Sequence, residues 1–429
     1  MEEYKESGID WIGKIPKNWD IQPLGVCFDE RREKVSDTLF EPLSVTKKGI
    51  LKQLDNVAKS DAHDDRKKVC KDDFVINSRS DRKQSCGLSD YDGSVSLINT
   101  VLISNKKMLE PIFVKYLLDN CMFAEEFYRN GHGIVADLWT TNYTEMKRIY
   151  IPIPSKREQK KIASVLFNKV SKIDKILENL NKQVEILNNF KKSIITEAVT
   201  KGIYKNRKYK STGIEWIQNI PEDWSIKRII NISYLKGRIG WQGLTTDEYI
   251  EEGPFLVTGI DFYNGNIDWK NCVHVSEWRF EQAPEIQLKE NDLLITKDGT
   301  VGKVAITQNT PAKVTLNSGV LLIRPIENNL YENRFLYYVL LSDEFWKWFD
   351  YINSGNTTII HLYQNVFAKF KFALPSIIEQ KEIINYLDEK CSNIDKTIKI
   401  KQKQIDKLEN YKKSLIYEYV TGKKRVKEE

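Results

Sequence analysis

The residues best suited to do chemistry in this chain sit in polar, glycine-containing loops that carry basic side chains. In the first half these are Thr46-Lys47-Lys48-Gly49 and Ser78-Arg79-Ser80-Asp81-Arg82-Lys83-Gln84. In the second half they are Lys236-Gly237-Arg238-Ile239-Gly240-Trp241-Gln242, Thr296-Lys297-Asp298-Gly299-Thr300 and Ser354-Gly355-Asn356-Thr357-Thr358. Arg, Lys, Gln and Asn carry the donors and acceptors that read base edges, and glycine lets backbone approach phosphate. The candidate nucleic-acid contacts are therefore Thr46, Lys47, Lys48, Ser78, Arg79, Arg82, Lys83, Lys236, Arg238, Trp241, Gln242, Lys297, Thr300, Lys303, Asn356 and Thr357. Any one of these loops also reads as an ordinary exposed turn. Their recurrence in both halves sets the group apart.

Catalytic motifs match poorly. Gly299-Thr300-Val301-Gly302-Lys303-Val304 has two residues between its glycines where a phosphate-binding loop needs four, and Val304 stands where a hydroxyl is required. A strand–turn–strand connection accounts for it better. Asp65-Arg66-Lys67 and Asp81-Arg82-Lys83 match half of a nuclease motif, but neither follows a spaced acidic residue on a clear strand. No Asn-Pro dipeptide exists, so the Asn-Pro-Pro-aromatic pattern of amino-methyltransferases is absent. Cys27, Cys70, Cys86, Cys121, Cys272 and Cys391 form no C-x-x-C pair, and the four histidines do not cluster with them. That spacing predicts reduced, structural thiols and no metal site.

The elements that must position these loops are written twice. Tyr4-Lys5-Glu6-Ser7-Gly8-Ile9-Asp10-Trp11-Ile12-Gly13-Lys14-Ile15-Pro16-Lys17-Asn18-Trp19 returns as Tyr209-Lys210-Ser211-Thr212-Gly213-Ile214-Glu215-Trp216-Ile217-Gln218-Asn219-Ile220-Pro221-Glu222-Asp223-Trp224. Pro154-Ser155 with Glu158-Gln159-Lys160 returns as Pro375-Ser376 with Glu379-Gln380-Lys381. The tryptophans could stack bases, but their spacing around Ile12, Ile15 and Pro16 predicts a short buried helix and turn, packed in the core or at a protein interface.

Residues 156–200 and 377–421 each predict one long helix. Ile162, Leu166, Val170, Ile173, Leu177, Leu180, Val184 and Leu187 step by four and three, a heptad-like seam. Ile383, Leu387, Cys391, Ile394, Ile398, Ile405, Leu408 and Leu415 repeat it, with Lys401 in an apolar place. Ser155 with Glu158, and Ser376 with Glu379, predict capping boxes, and Gly422 a helix stop. Two helices of matching seam predict an antiparallel pair; the alternative is that each packs on its own domain. The candidates for that seam and for partner docking are Trp11, Trp19, Trp216, Trp224, Leu166, Ile173, Leu180, Leu187, Leu387, Ile394, Leu408 and Leu415.

The middles between these frames read as mixed α/β. Strands are expected at Phe74–Ile76, Ser96–Ile98 running to Val101–Ile103, Leu293–Ile295, Val304–Ala305–Ile306 and Val320–Ile323, and short helices at Phe113–Leu118 and Phe335–Leu341. The fold class is α+β: two globular mixed α/β domains, two long helices forming an antiparallel coiled coil, and a pseudo-twofold internal repeat. The divisions expected are 1–154, 155–202, 203–375 and 376–429.

At 429 residues, 41% hydrophobic and 29% charged, the chain has the composition of a globular protein, and no apolar run could span a bilayer. An acidic start (Glu2, Glu3, Glu6) is unlike a signal peptide, so a cytoplasmic protein is expected. The net charge of +6 is unevenly placed. Residues 151–202 hold 11 basic against 5 acidic side chains and 371–429 hold 14 against 10, whereas 1–150 and 203–370 hold 23 against 25 and 18 against 20. The excess therefore sits on the repeated helices, and general basicity is no argument for nucleic-acid binding by the middles.

The duplicated Gly-Ile-Asp/Glu-Trp-Ile-x-x-Ile-Pro-x-x-Trp, with Pro-Ser-x-x-Glu-Gln-Lys opening each long helix, resembles the specificity subunit of type I restriction–modification systems. The resemblance spans the whole chain. Arg238-Ile239-Gly240-Trp241-Gln242-Gly243-Leu244 and Asn291-Asp292-Leu293-Leu294-Ile295-Thr296-Lys297-Asp298-Gly299 resemble a target recognition domain of that family. The first middle is more divergent: Asp73-Phe74-Val75-Ile76 aligns with Asp292-Leu293-Leu294-Ile295, but the Asp298-Gly299 turn of the second has no evident counterpart in it. The resemblance implies two target recognition domains, at 1–154 and 203–375, each reading one part of a bipartite double-stranded DNA site. It implies a helix pair that sets the spacer and docks two methyltransferase subunits, with restriction subunits joining. The chain itself would be a non-catalytic DNA-recognition subunit of an adenine-N6 methyltransferase/endonuclease complex, with no cofactor of its own and no membrane association. S-adenosylmethionine, ATP and Mg would belong to the partner subunits. On this reading Arg238→Ala relaxes one half-site only. The competing readings are a coiled-coil scaffold whose globular domains bind other proteins, and a metal-dependent nuclease using Asp65 or Asp81.

Overall fold

A computed structural model of the chain describes residues 4–53, 65–133, 139–238, 244–354 and 361–426. The chain divides into two compact units, one of 1–181 with 402–429, the other of 182–401. Each long helix, Lys156–Lys201 and Ile377–Val420, is thus shared, giving one half to each unit.

In the first unit, an antiparallel sheet runs in the order Cys86–Leu88, Phe74–Asn77, Asn99–Ser104, Phe28–Glu30. The second unit has the same arrangement from Val304–Ile306, Leu293–Thr296, Val320–Pro325 and Ser233–Gly237. Each sheet is followed in the chain by two helices, Pro111–Leu118 and Cys121–Arg129 or Asn333–Leu341 and Asp343–Asn353. The middles therefore share one fold although their sequences diverge. Near-continuous apolar runs such as Leu293-Leu294-Ile295 make central strands because both faces are covered. The expected strand at Ser96–Ile98 resolves differently: Gly93–Ser96 and Asn99–Ser104 are strands, and Leu97-Ile98 is the turn between them, with Leu97 exposed.

The tryptophan repeats fold as β-hairpins rather than as a helix and turn. Tyr4–Glu6 pairs with Lys14–Pro16, and Tyr209–Ile214 with Ile217–Pro221. Gly8 and Gly213 hold φ of +72° and +66°, a left-handed conformation that breaks a helix at the bend. Trp19 and Trp224 are fully buried, and their indoles donate to the Glu158 and Glu379 carboxylates, both at 2.9 Å. The other indoles donate to backbone, Trp11 to the Tyr150 carbonyl at 3.2 Å and Trp216 to that of Lys371 at 3.4 Å. The two sequence repeats are thus the two sides of one joint. Ser155 and Ser376 cap the helices through their hydroxyls, but the glutamates of the expected capping boxes turn to the tryptophans. Gln159 and Gln380 accept from the Glu110 and Glu332 amides, tying each long helix to the short helix of its own unit. Arg425 and Arg207 complete the joints by pairing with Glu158 and Glu379. Gly202 and Gly422 end the long helices at φ of +75° and +73°. A side chain at either would collide with the joint, at Arg207 and Glu379 or at Pro16.

The seam residues Leu166, Ile173, Leu387, Ile394 and Leu415 are buried, and Leu180, Leu187 and Leu408 half-buried. In the first unit Lys412 meets Asp174 at 2.6 Å; in the second Lys191 meets Asp395 at 2.7 Å and Lys401 donates to Gln183. Along these two contacts of the second unit, the numbering rises from Gln183 to Lys191 as it falls from Lys401 to Asp395.

Trp224→Phe removes a charge-assisted bond inside this joint and is expected to cost about 1–3 kcal/mol. Denaturant unfolding of the full chain checks it, with the exposed Trp278→Phe staying within about 0.5 kcal/mol.

Candidate nucleic-acid interface

In the second unit, strands Leu293–Thr296 and Val304–Ile306 are joined by a turn whose shape is fixed from below. The Thr296 hydroxyl donates to the Thr300 carbonyl at 2.6 Å and accepts from the Lys303 amide at 2.9 Å. Gly299 and Gly302 take φ of +68° and +85°, which the reversal requires. The sequence expectation of a strand–turn–strand connection is met. Lys297 is half-buried, while Thr300 and Lys303 are exposed. The turn lines a groove of about 520 Å³ with Thr246, Tyr249, Ile260 and Asn317. Its opposite bank is built by buried Asp261, which accepts from the Thr258 amide and hydroxyl at 2.7 and 2.9 Å. Lys303 reaches across to the Gly259 carbonyl at 3.3 Å.

Lys236 is half-buried on Ser233–Gly237, 3.9 Å from Glu285. Arg238, expected to read a base, lies only 3% exposed. It donates to the Leu316 carbonyl at 2.7 Å and to the Thr315 hydroxyl at 3.0 Å, and its Nη1 has no partner among the described residues. Burial pulls its guanidinium below the ordinary arginine range. In this geometry Arg238 braces strand Val314–Leu316 from a buried position, its unpartnered Nη1 included. Trp241, Gln242, Asn356 and Thr357 lie outside the described residues.

The first unit carries a turn in the same place. Between Phe74–Asn77 and Cys86–Leu88 the chain makes a short 3-10 turn, Ser80–Arg82. This is the counterpart that the sequence does not reveal, because no Asp-Gly marks it. Arg79 and Arg82 are exposed there, and Lys83 pairs with Glu125 over the Tyr128 ring. Ser78 is buried against the Thr100 hydroxyl at 3.1 Å and serves the turn's shape. Thr46, Lys47 and Lys48 belong elsewhere. They form the tip of hairpin Leu43–Thr46/Gly49–Lys52, where the Thr46 hydroxyl donates to the Gly49 carbonyl at 3.0 Å. A side chain at Gly87 would meet Gly49 Cα at 2.9 Å, so this hairpin rests on the outer strand of the sheet. Lys47 and Lys48 line a separate cavity of about 540 Å³ with Lys115, Asp119, Asp174 and Lys412. Burial raises the Asp119 carboxyl to about 6. The structure thus groups Arg79, Arg82 and Lys83, and separately Lys297, Thr300 and Lys303.

Sequence reasoning misses Ile260, the most exposed large apolar side chain among the described residues at 85%, and the pairing of Asp298 with His361 at 2.7 Å. Asp298 stands inside a loop that its glycine and basic neighbours mark, whereas nothing in the sequence connects it to His361. Among the described residues no group of three or more His, Cys, Asp or Glu could hold a metal ion. Asp65 pairs with Lys34, and the Arg66 beside it is buried on Ser94. No helix among the described residues is long and apolar enough to cross a membrane.

The family model for the type I restriction modification DNA specificity domain matches residues 66–186 and 221–410. A provisionally named type I restriction enzyme MjaX specificity subunit of Methanocaldococcus jannaschii is 26% identical over 447 aligned positions, covering 100% of this chain and 99% of the relative. The MjaVIII specificity subunit of the same organism is 28% identical, over 66% of this chain and 63% of its own length. A solved chain from a study of complex assembly and conformational transition of the type I R-M system superposes with a TM-score of 0.68. It covers 95% of this chain and 98% of its own at 16% identity, a likeness of fold.

Proposed function

Since this chain belongs to the family of type I restriction–modification specificity subunits, we propose that its two sheet-bearing middles are target recognition domains that read the two halves of a bipartite double-stranded DNA site. The observation that carries this reading is the equivalent turn on each sheet, basic in both and different in side chains. A shared frame with unlike tips is what two different half-sites call for, since phosphate contacts position and base-edge contacts specify. Lys297, Thr300 and Lys303 serve one domain, and Arg79, Arg82 and Lys83 the other.

The long helices act as an antiparallel coiled-coil pair that sets the spacer. Three polar contacts support it, Asp174 with Lys412, Gln183 with Lys401 and Lys191 with Asp395, which run in opposite directions along the two helices. The pair also docks two methyltransferase subunits. Phe167, Ile176, Ile186, Phe190 and Ile400, each about half exposed or more, supply apolar area for that purpose. The tryptophans contribute indirectly, by holding the joints. Restriction subunits complete the complex. The chain is non-catalytic alone, and S-adenosylmethionine, ATP and Mg act on the partner subunits.

The test is co-expression with methyltransferase subunits followed by mapping of methylated adenines. Methylation in one bipartite motif is expected. Methylation without sequence preference, or none, overturns the reading.

A further inference from the structure

We propose that Asp298 is a specificity-determining residue that accepts a hydrogen bond from an exocyclic base amino group in the half-site read by the second domain, with His361 as its positioning residue. The inference rests on the reading of that domain as a DNA reader. An acidic side chain is out of place on a surface meant for phosphate, where it repels. Asp298 nevertheless stands on the groove wall with Gly299 and Thr300, and its side chain is 43% exposed. No lysine or arginine neutralises it within ion-pair distance among the described residues. Its one ion-pair partner there is His361, whose Nδ1 donates to Oδ1 at 2.7 Å.

That contact orients the carboxylate through Oδ1, and Oδ2 has no hydrogen-bond partner among the described residues. The His361 segment is itself anchored, because the Leu362 amide donates to the Lys297 carbonyl at 2.9 Å and the buried Leu362 side chain packs in the core. A held, acceptor-only group in a groove that also presents Thr300 and Lys303 suits one kind of base edge. It takes the amino group of cytosine, or that of adenine, and rejects guanine and thymine at the same place, whose major-groove edges offer acceptors there. Ile260 on the facing bank adds an apolar contact beside it.

The experiment is adenine methylation by the full complex, assembled with wild-type, Asp298→Ala, Asp298→Asn, His361→Ala or His361→Gln chain, on a library randomised at every specified position. Wild type is expected to demand cytosine or adenine at one position of one half-site. Asp298→Ala should lower discrimination there about 5- to 150-fold and leave the other positions as they were. Asp298→Asn, which both donates and accepts, should shift preference towards adenine. His361→Ala should relax that same position, and His361→Gln, which keeps a donor, should restore part of it. Unchanged motifs, or relaxation spread over many positions, overturn the proposal while the DNA-reading function stands. Loss of all methylation in both Asp298 variants also overturns it, since an outward loop side chain would then be structural. A wild-type complex with no sequence preference overturns the reading beneath it.

Discussion

Removing residues 176–182 together with 404–410 is expected to abolish methylation at the native site and create a new site with the same two half-sites and a shorter spacer. Seven residues are one heptad, so the seam keeps its register across the cut. On the proposed antiparallel pairing the removed segments are counterparts, since Asp174 pairs with Lys412 and Lys191 with Asp395. Seven helical residues are about 10 Å long, which corresponds to about three base pairs at roughly 3.4 Å each. Misplacing a half-site forfeits several base pairs at about 1–3 kcal/mol apiece, so native-site methylation should fall by about 100-fold or more. Methylome mapping reads both outcomes. Recovery of the original motif with its original spacer would show that the helices are not the ruler. Cutting only one helix leaves its partner's seam without apposed side chains and should cost folding instead.

Glu344→Gln is expected to stabilise the second unit at pH 8.5 and to change it little at pH 5. Glu344 lies in the first turn of helix Asp343–Asn353, 5% exposed, and its Oε2 has no hydrogen-bond partner among the described residues. Burial raises its carboxyl from the ordinary 4.5 to about 8, opposed only weakly by Lys347. The folded state therefore keeps a proton that the unfolded chain releases. Between about pH 4.5 and 8 the native state binds more protons, so stability falls as pH rises through that window and is level on either side. The full difference is on the order of 5 kcal/mol as an upper bound. A neutral amide has no such slope. Thermal unfolding of the full chain at both pH values checks this; equal slopes for wild type and variant would show that Glu344 is not the titrating group. A neighbouring pair, Lys192 with Asp343, is exposed and contributes little.

The two joints explain why so much of the frame is legible in the sequence. Trp19 with Glu158 and Trp224 with Glu379 are far apart along the chain, yet each partner is spelled out in its own repeated motif. The chain states the frame twice because both joints use the same tryptophan–glutamate pair. The long helices are equally readable, since a heptad seam is local and uninterrupted by Gly or Pro. The hairpins are not, because the spacing of Trp, Ile and Pro suits a helix and turn and carries no sign of the left-handed bend at Gly8 and Gly213.

The candidate site is legible only in part. Lys297, Thr300 and Lys303 sit on a turn announced by two glycines, and the sequence points to them directly. Arg238 looks like a base contact because a basic residue beside glycine suggests exposure, yet the sheet's geometry turns it inward to Leu316 and Thr315. Charge alone groups Lys47 and Lys48 with Arg79 and Arg82, whereas hairpin packing on Gly87 carries them to a different cavity. The sequence by itself determined the repeat, the long helices and the family, because these rest on local periodicity and on motifs that recur; that Trp19 and Trp224 bond Glu158 and Glu379 was decided by the tertiary structure. Only the tertiary structure decided which loop side chains face outward, and that Asp298 meets His361 across 63 residues. Those facts depend on strand order and on which surfaces the sheets cover, which no local pattern encodes.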